Sequence, residues 1–332
     1  MALSNGQYGE IMREYDQRQY TAEREKKERI REIYEALPAV KRLDDEIASE
    51  SLEAARAAVL KKKEQQNISQ ERLLFLRDQK KRLLMEAGYP ANYMETWYVC
   101  PDCRDTGYIG QEKCRCFKKL EARQYLEQSG LKDVLEKENF SSYSEEYYDD
   151  SMPLEPKGET VLAYMRKIVE RCRTYAERFE TEKGNLLFTG PSGTGKTFLT
   201  HCIANELLSE GTDVYYLTAP ELADLVAGRR FGEKERDEYA ARYARVMECD
   251  LLILDDLGTE WMNALIGAEL FNCLNERQVR GKFCIISTNL SLRKLSERYS
   301  ERILSRIIGH YSILELIGAD IRIQKSIKSG RE

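Results

Sequence analysis

Residues 190–197 read Gly190-Pro191-Ser192-Gly193-Thr194-Gly195-Lys196-Thr197, the complete G-x-x-x-x-G-K-[ST] phosphate loop. No other stretch constrains the fold as tightly, because such a loop works only between a strand and a helix. The run Asn185-Leu186-Leu187-Phe188-Thr189 before it is short, apolar and suited to a strand. The stretch from Phe198 to Leu208 after it has helical spacing. Glycines at 190, 193 and 195 let backbone N–H groups turn inward on phosphates, where a Cβ would clash. The helix N-terminus adds its partial positive charge. Lys196 is expected to reach the β/γ-phosphates, and the Thr197 hydroxyl to take a place on Mg²⁺. These residues predict a bound nucleoside triphosphate, ATP or a close relative.

Further candidate strands fall at Val214–Leu217, Leu251–Asp255, Phe283–Thr288 and Ile313–Leu316, with helical stretches between them. Strands alternating with helices predict an α/β fold, a parallel sheet wrapped on both faces. The second acidic feature lies about sixty residues after the loop, in Leu251-Leu252-Ile253-Leu254-Asp255-Asp256. Four apolar residues ending in two acids describe a buried strand whose carboxyl end emerges beside the phosphates. Asp255 is placed to hold Mg²⁺ through its water, and Asp256 to polarise an attacking water as general base. The next strand ends Ile285-Ile286-Ser287-Thr288-Asn289, which sets a polar side chain near the γ-phosphate. Arg298, Arg302 and Arg306 then recur every four residues along one helix face. Solvated surface is the expectation for Arg298. An arginine offered in trans to a neighbouring subunit would stabilise transition-state charge, which requires an oligomer.

The N-terminal third is different. Residues 10 to 87 are nearly all helix formers. Ile30, Ile33, Tyr34 and Leu37 form one apolar stripe, Pro38 interrupts, and Val40, Leu43 and Ile47 resume it. A third set, Leu73, Leu76, Leu83 and Leu84, runs to a stop at Gly88-Tyr89-Pro90. Thin stripes bury little area alone, so they are expected to pair as a helical hairpin or dock on a partner. Cys100, Cys103, Cys114 and Cys116 then form C-x₂-C and C-x-C knuckles that can bring four thiolates round one structural Zn²⁺. The other five cysteines (Cys172, Cys202, Cys249, Cys273, Cys284) read as small buried hydrophobes. Residues 141–157, rich in Ser, Tyr, Asp, Glu and Pro, read as a linker. The expected organisation is a helical partner-binding region at 1–96, a zinc module at 97–140, that linker, and the nucleotide domain at 158–332.

Lys+Arg 52 against Asp+Glu 57 leaves a net charge of −5, which excludes a globally basic nucleic-acid binder. DNA contact would need a local patch. The candidate is Arg229, Arg230 and Phe231, between the second and third strands, where arginines could grip phosphates and the ring stack on a base. Trp261 is expected to pack rather than stack, and His201 and His310 show no ligand spacing. With no apolar run near the ~18 residues of a membrane span and no signal-peptide pattern, the expected location is the cytosol.

GPSGTGKT, LLILDDLG, ISTNL, SERILSRI and GADIR, in that order over roughly residues 158–325, resemble AAA+ ATPases of the DnaC/DnaI-type replicative helicase loaders. The transposase-helper ATPases of the IstB type are close relatives. The resemblance implies a AAA+ P-loop core in which Lys196 and Thr197 are the Walker A residues and Asp255 and Asp256 the Walker B pair. It makes Asn289 sensor I and Arg322 a candidate for sensor II. Arg306 matches the arginine finger, with Arg302 one turn earlier as its rival. Many AAA+ proteins carry Asp-Glu where this chain has Asp255-Asp256, so the shorter acid implies slow turnover. A zinc-bearing, helix-rich N-terminal region resembles the DnaI branch, where that region contacts the helicase. The implied function is an ATP-dependent loader that self-associates through the AAA+ domain on single-stranded DNA and holds a hexameric replicative helicase. Two alternatives use the same loop: a transposition helper that presents target DNA to a transposase, and a small-molecule kinase. The paired acids and the arginine row argue against the kinase.

Overall fold

In the computed structural model, which describes residues 5–60, 63–151, 153–154, 158–231, 236–328 and 330, the N-terminal helix formers give three helices. These are α1 (Asn5–Ala36), α2 (Pro38–Val59) and α3 (Lys63–Glu86). The break between α1 and α2 falls where the sequence puts it. Pro38 opens α2, and Leu37 before it has φ −132° and ψ 74°, outside the helical range as the residue preceding a proline tends to be. Helices α2 and α3 fold back on each other as a hairpin. The pairs Lys80–Asp44 at 2.6 Å and Arg72–Glu50 at 3.5 Å run in opposite order along the two helices, which fixes them as antiparallel. A small core of Ile33, Val40, Leu84 and Met94, flanked by Ile30, Tyr34, Leu37 and Leu83, joins the base of the hairpin to the end of α1. Gly9–Cys114 forms one compact unit.

The second unit comprises Arg115–Glu332 together with Met1–Tyr8. It begins with α4 (Arg115–Ser129) and α5 (Lys132–Lys137), separated at Gly130, whose φ of +70° a side-chain-bearing residue rarely adopts. Helix α6 (Val161–Glu177) is capped by the Thr160 hydroxyl, which accepts from the Ala163 N–H. A five-stranded sheet follows, built from β1 (Asn185–Thr189), β2 (Val214–Thr218), β3 (Leu251–Asp255), β4 (Phe283–Ser287) and β5 (Tyr311–Glu315). All five strands are parallel, in the order β2-β3-β4-β1-β5. Between them run α7 (Lys196–Ser209), α8 (Ala219–Phe231), α9 (Arg236–Glu248), α10 (Ala264–Val279), α11 (Leu292–Tyr299) and α12 (Glu301–His310), with α13 (Ile321–Lys328) last.

Both faces of the sheet are covered, which is why its strands are almost continuously apolar. Successive residues of β3 alternate between the two cores. Leu251 and Ile253 pack with α6 and α7, and Leu252 and Leu254 with α8, α9 and α10. The five scattered cysteines are all buried in these two cores, as expected of small hydrophobes. Among the described residues no helix is long and apolar enough to cross a membrane.

The segment read as a linker is not a spacer. Residues Phe140–Ser142 and Glu145–Tyr147 form short 3₁₀ turns, and the Asn139 side chain accepts from the Ser141 and Ser142 N–H groups to open the first. Tyr143 and Tyr148 of this segment pack against the core of β1 and α7, to which Phe140 just before it also belongs. The aromatic residues that looked like loop composition are packing groups, so the unit starts at Arg115 and not near residue 158.

Candidate active site

The carboxyl ends of β1, β3 and β4 converge on one cavity of about 380 Å³, where a parallel sheet places its ligands. The phosphate loop leaves β1 and opens α7. Gly190, at φ +135°, lies so close to the Leu316 carbonyl oxygen that a Cβ there would collide with it. Gly193, at φ +76°, presents its bare Cα to the carboxylate of Asp320. The same Asp320 accepts the Arg322 N–H at 2.8 Å, and the Ile321 N–H donates to the Gly193 carbonyl at 2.9 Å. The N-terminus of α13 is thereby pinned to the phosphate loop, and Arg322 is delivered to the cavity wall.

Lys196 is buried, and its ammonium donates to the Gly190 and Pro191 carbonyls at 2.7 Å each. Inside the loop Thr194 is buried and donates to the Pro191 carbonyl, while Ser192 is exposed at the cavity mouth. Asp255, at the end of β3, is also buried. Its Oδ2 accepts from the Thr197 hydroxyl at 3.0 Å and the Tyr216 hydroxyl at 2.7 Å, and its Oδ1 from the Ser287 hydroxyl. Asp256 turns the chain at φ +55°, and its N–H donates to Ser287 Oγ at 2.9 Å. Partial burial raises the Asp256 carboxyl above its ordinary value, and the neighbouring Asp255 charge adds to this, against Lys196 and Arg322. Burial lowers the Lys196 ammonium, while the two aspartates hold it up. Asn289 lies exposed on the same wall. Lys196, Thr197, Asp255, Asp256, Asn289 and Arg322 all line one cavity.

The far wall escaped the sequence. Tyr143, Tyr147 and Tyr148 line it, the first and last with stacked rings 5.9 Å apart. Glu138 and His201 face the same space, with His201 Nδ1 2.6 Å from Glu138 Oε2. Spacing along the chain gives no hint of a pair 63 residues apart. The one available signal was the density of tyrosine in a stretch otherwise made of turn residues.

The arginine row does not behave as one face. Arg298, expected in solvent, donates to the Glu260 carbonyl and pairs with its carboxylate at 3.6 Å. Glu260, just past the Asp255-Asp256 strand end, is itself buried, and it accepts from the Tyr299 hydroxyl and from the Gly258 N–H at 2.9 Å. A buried carboxylate needs partners, and α11 supplies two. Between α11 and α12 Ser300 has φ +99°, unusual for a residue with a side chain. On α12, Arg302 is exposed. Arg306 lies along α10, donating to Asn275 and to Gln278 (3.3 Å) with its guanidinium 4.8 Å from the centre of the Phe271 ring. Neither lines the cavity of its own chain.

In the candidate DNA patch, Arg229 is held inside the fold, 3.1 Å from Glu269 and 3.8 Å above the Tyr243 ring. Arg230 at the end of α8 is exposed, and the Phe231 side chain lies outside the described residues. Trp261, expected to pack, is 49% exposed, with its indole N–H 3.4 Å from Asp224.

The sulfurs of Cys100, Cys103, Cys114 and Cys116 lie within 4.8 Å of one another, and Cys100 Sγ is 3.8 Å from Cys114 Sγ. A tetrahedron of sulfurs about 2.3 Å from a central Zn²⁺ has an edge of about 3.8 Å, so the donor set fits that ion. The Gly107 N–H donates to Cys103 Sγ at 3.3 Å, a bond suited to a thiolate. Buried Asp105 accepts from the Val99 and Cys100 N–H groups at 2.8 Å each and holds the first knuckle.

Several known proteins resemble this chain. A replicative helicase loader DnaC from Buchnera aphidicola is 22% identical over 190 residues, 57% of this chain and 71% of that protein. An IS21-like insertion-sequence ATP-binding protein from Bacteroides fragilis is 31% identical over 146 residues, 42% of this chain and about half (53%) of its own length. A crystal structure of the DnaC helicase loader aligns with 55% of this chain and 99% of that one, at 20% identity and a TM-score of 0.44. Residues 164–329, half of the chain, match the family of IstB-like ATP binding proteins. With the phosphate loop, the paired aspartates and Asn289 meeting at the ends of a parallel β2-β3-β4-β1-β5 sheet, the chain belongs to that family and is an ATPase of the AAA+ fold.

Proposed function

We propose that this protein is an ATP-dependent loader of a replicative hexameric helicase onto single-stranded DNA. The observation that carries the reading is the occurrence, ahead of this ATPase core, of a three-helix N-terminal region followed by a four-cysteine cluster. Cys100, Cys103, Cys114 and Cys116 would supply all four ligands of a zinc ion there, whose role would be to fold the surface that holds the helicase.

At the nucleotide site, Lys196 carries positive charge to the β/γ-phosphates, and Thr197 and Asp255 hold Mg²⁺. That ion, when bound, would neutralise charge on the phosphates. Asp256 takes the proton of the attacking water, Asn289 orients that water, and Arg322 faces the negative charge from α13. The products are ADP and phosphate. Arg306, with Arg302 as its rival, completes the site of an adjoining copy, so hydrolysis requires self-association on DNA. Without that completion turnover is slow. Arg230 is the best-placed cation of the candidate DNA patch, since phosphate would have to displace Glu269 to reach Arg229.

A second reading, a transposition helper that presents target DNA to a transposase, is supported by the 31% identity to the IS21-like protein. The full-length protein separates the two. A loader retains a ring helicase on affinity resin, loses it when zinc is chelated, and hydrolyses ATP faster with single-stranded oligonucleotide. Retention of a transposase instead, with no helicase recovered, would establish the helper.

A further inference from the structure

We propose that Tyr216 is a positioning residue for nucleotide-bound magnesium, acting through the carboxylate of Asp255. The inference rests on the ATP and Mg²⁺ reading above and adds a residue from β2, an edge strand that carries none of the family's motifs.

An ionised carboxylate offers about four lone-pair positions. In Asp255 three of them are taken by the hydroxyls of Thr197, Tyr216 and Ser287. The Thr197 contact is the one that must change when its oxygen turns to a metal ion. The Tyr216 and Ser287 contacts do not involve the phosphate loop. They fix the plane of the carboxylate while the lone pair facing Thr197 becomes available to metal-bound water. Groups that orient a metal's ligands in this way commonly set its affinity.

Tyr216 is held rigidly enough for the task. Its backbone N–H donates to the Tyr125 hydroxyl at 3.3 Å, so the strand edge is anchored to α4. Its ring lies 5.0 Å from that of His201, tilted by 39°, and His201 is fixed in turn by Glu138 at 2.6 Å. A hydroxyl serving only to satisfy a buried carboxylate would contribute stability alone. A positioning hydroxyl also sets how the site responds to magnesium, and that difference can be measured.

The experiment titrates a fluorescent ATP analogue against the full-length protein, first in EDTA and then at increasing Mg²⁺. For Tyr216→Phe, affinity in EDTA should stay within twofold of the parent. The Mg²⁺ concentration for half-maximal tightening should rise tenfold or more, within the range of about 10–100-fold that outer partners of metal ligands carry. Tyr125→Phe, which loosens the same strand edge without touching Asp255, should leave the Mg²⁺ response unchanged. An unaltered Mg²⁺ response in Tyr216→Phe would overturn the assignment, as would an equal shift in Tyr125→Phe. A parent protein whose ATP affinity ignores magnesium would overturn the metal reading and this inference together.

Discussion

The two units of this chain solve the problem of stability by opposite means. In Arg115–Glu332 the inner strands β1, β3 and β4 are almost wholly buried between two apolar cores. In Gly9–Cys114 a small apolar cluster sits at the base of a hairpin, and other buried apolar residues such as Ile11, Tyr15 and Leu76 are spread along the helices. Much of the rest is polar: Arg29 donates to the Tyr93 and Glu95 carbonyls at 2.9 and 3.0 Å and lies 4.0 Å above the Trp97 ring. Meanwhile Leu52, Val59, Leu60, Ile68, Leu74 and Phe75 face outward on α2, α3 and the turn between them, with Val59 83% exposed. A wide core specifies a precise site, whereas a thin one needs an outside contribution from a metal or a partner.

The largest effect should come from removing that contribution. Structural zinc contributes on the order of 10–16 kcal/mol of gross binding energy to small modules. Chelation should therefore cost Gly9–Cys114, which carries Cys100, Cys103 and Cys114 of the cluster, its protease resistance while ATP binding stays within twofold. Proteolysis and nucleotide titration on one sample check this, and parallel loss of both would break the contrast. Next come the arginines. Alanine at the residue that completes the neighbouring site should lower assembled ATPase activity by about 10³–10⁵, or ~4–7 kcal/mol, with nucleotide affinity retained. Steady-state rates of Arg306→Ala and Arg302→Ala identify which it is, and two variants at full rate would leave the site complete within one chain. Smaller still, Leu187→Ala, fully buried in β1, should cost about 2–5 kcal/mol in chemical denaturation. Phe75→Ala, 61% exposed, should change stability by less than about 0.5 kcal/mol.

The subtlest prediction concerns pH. In the proposed role of general base Asp256 would work ionised, so kcat/KM should fall as pH drops through its raised value. Arg322 favours the ionised form. Arg322→Ala should thus move the acid limb to higher pH, by up to about one unit. A limb that stays in place or moves down would remove Arg322 from the electrostatics of the base.

How much of this was legible in the sequence follows the same division. The first four strands were readable to within a residue, because buried runs such as Leu251–Asp255 have no alternative fate, whereas β5, an edge strand with exposed residues, begins at Tyr311 and not at Ile313. The phosphate loop and the paired aspartates were readable because each is a local pattern with a fixed neighbour. Tyr148, Glu138, His201 and Tyr216 were not, since they meet only through tertiary packing of α4, α5 and β2 around α7. Arg298 is exposed as expected, but the arginine row as a whole was misread for a related reason. The spacing of Arg298 with Arg302 and Arg306 implies a shared face on one helix, yet Ser300 divides them between α11 and α12.

Glu260 gives that division a consequence. The loop that leaves Asp256 ends at this buried acid, and the acid grips the last two residues of α11 just ahead of the bend at Ser300. Displacement of the strand end by a reacting nucleotide would therefore be handed, through one carboxylate, to the rod carrying Arg302 and Arg306. In the assembly proposed above, each copy would thereby pass the state of its own nucleotide to the neighbour that its arginines would reach.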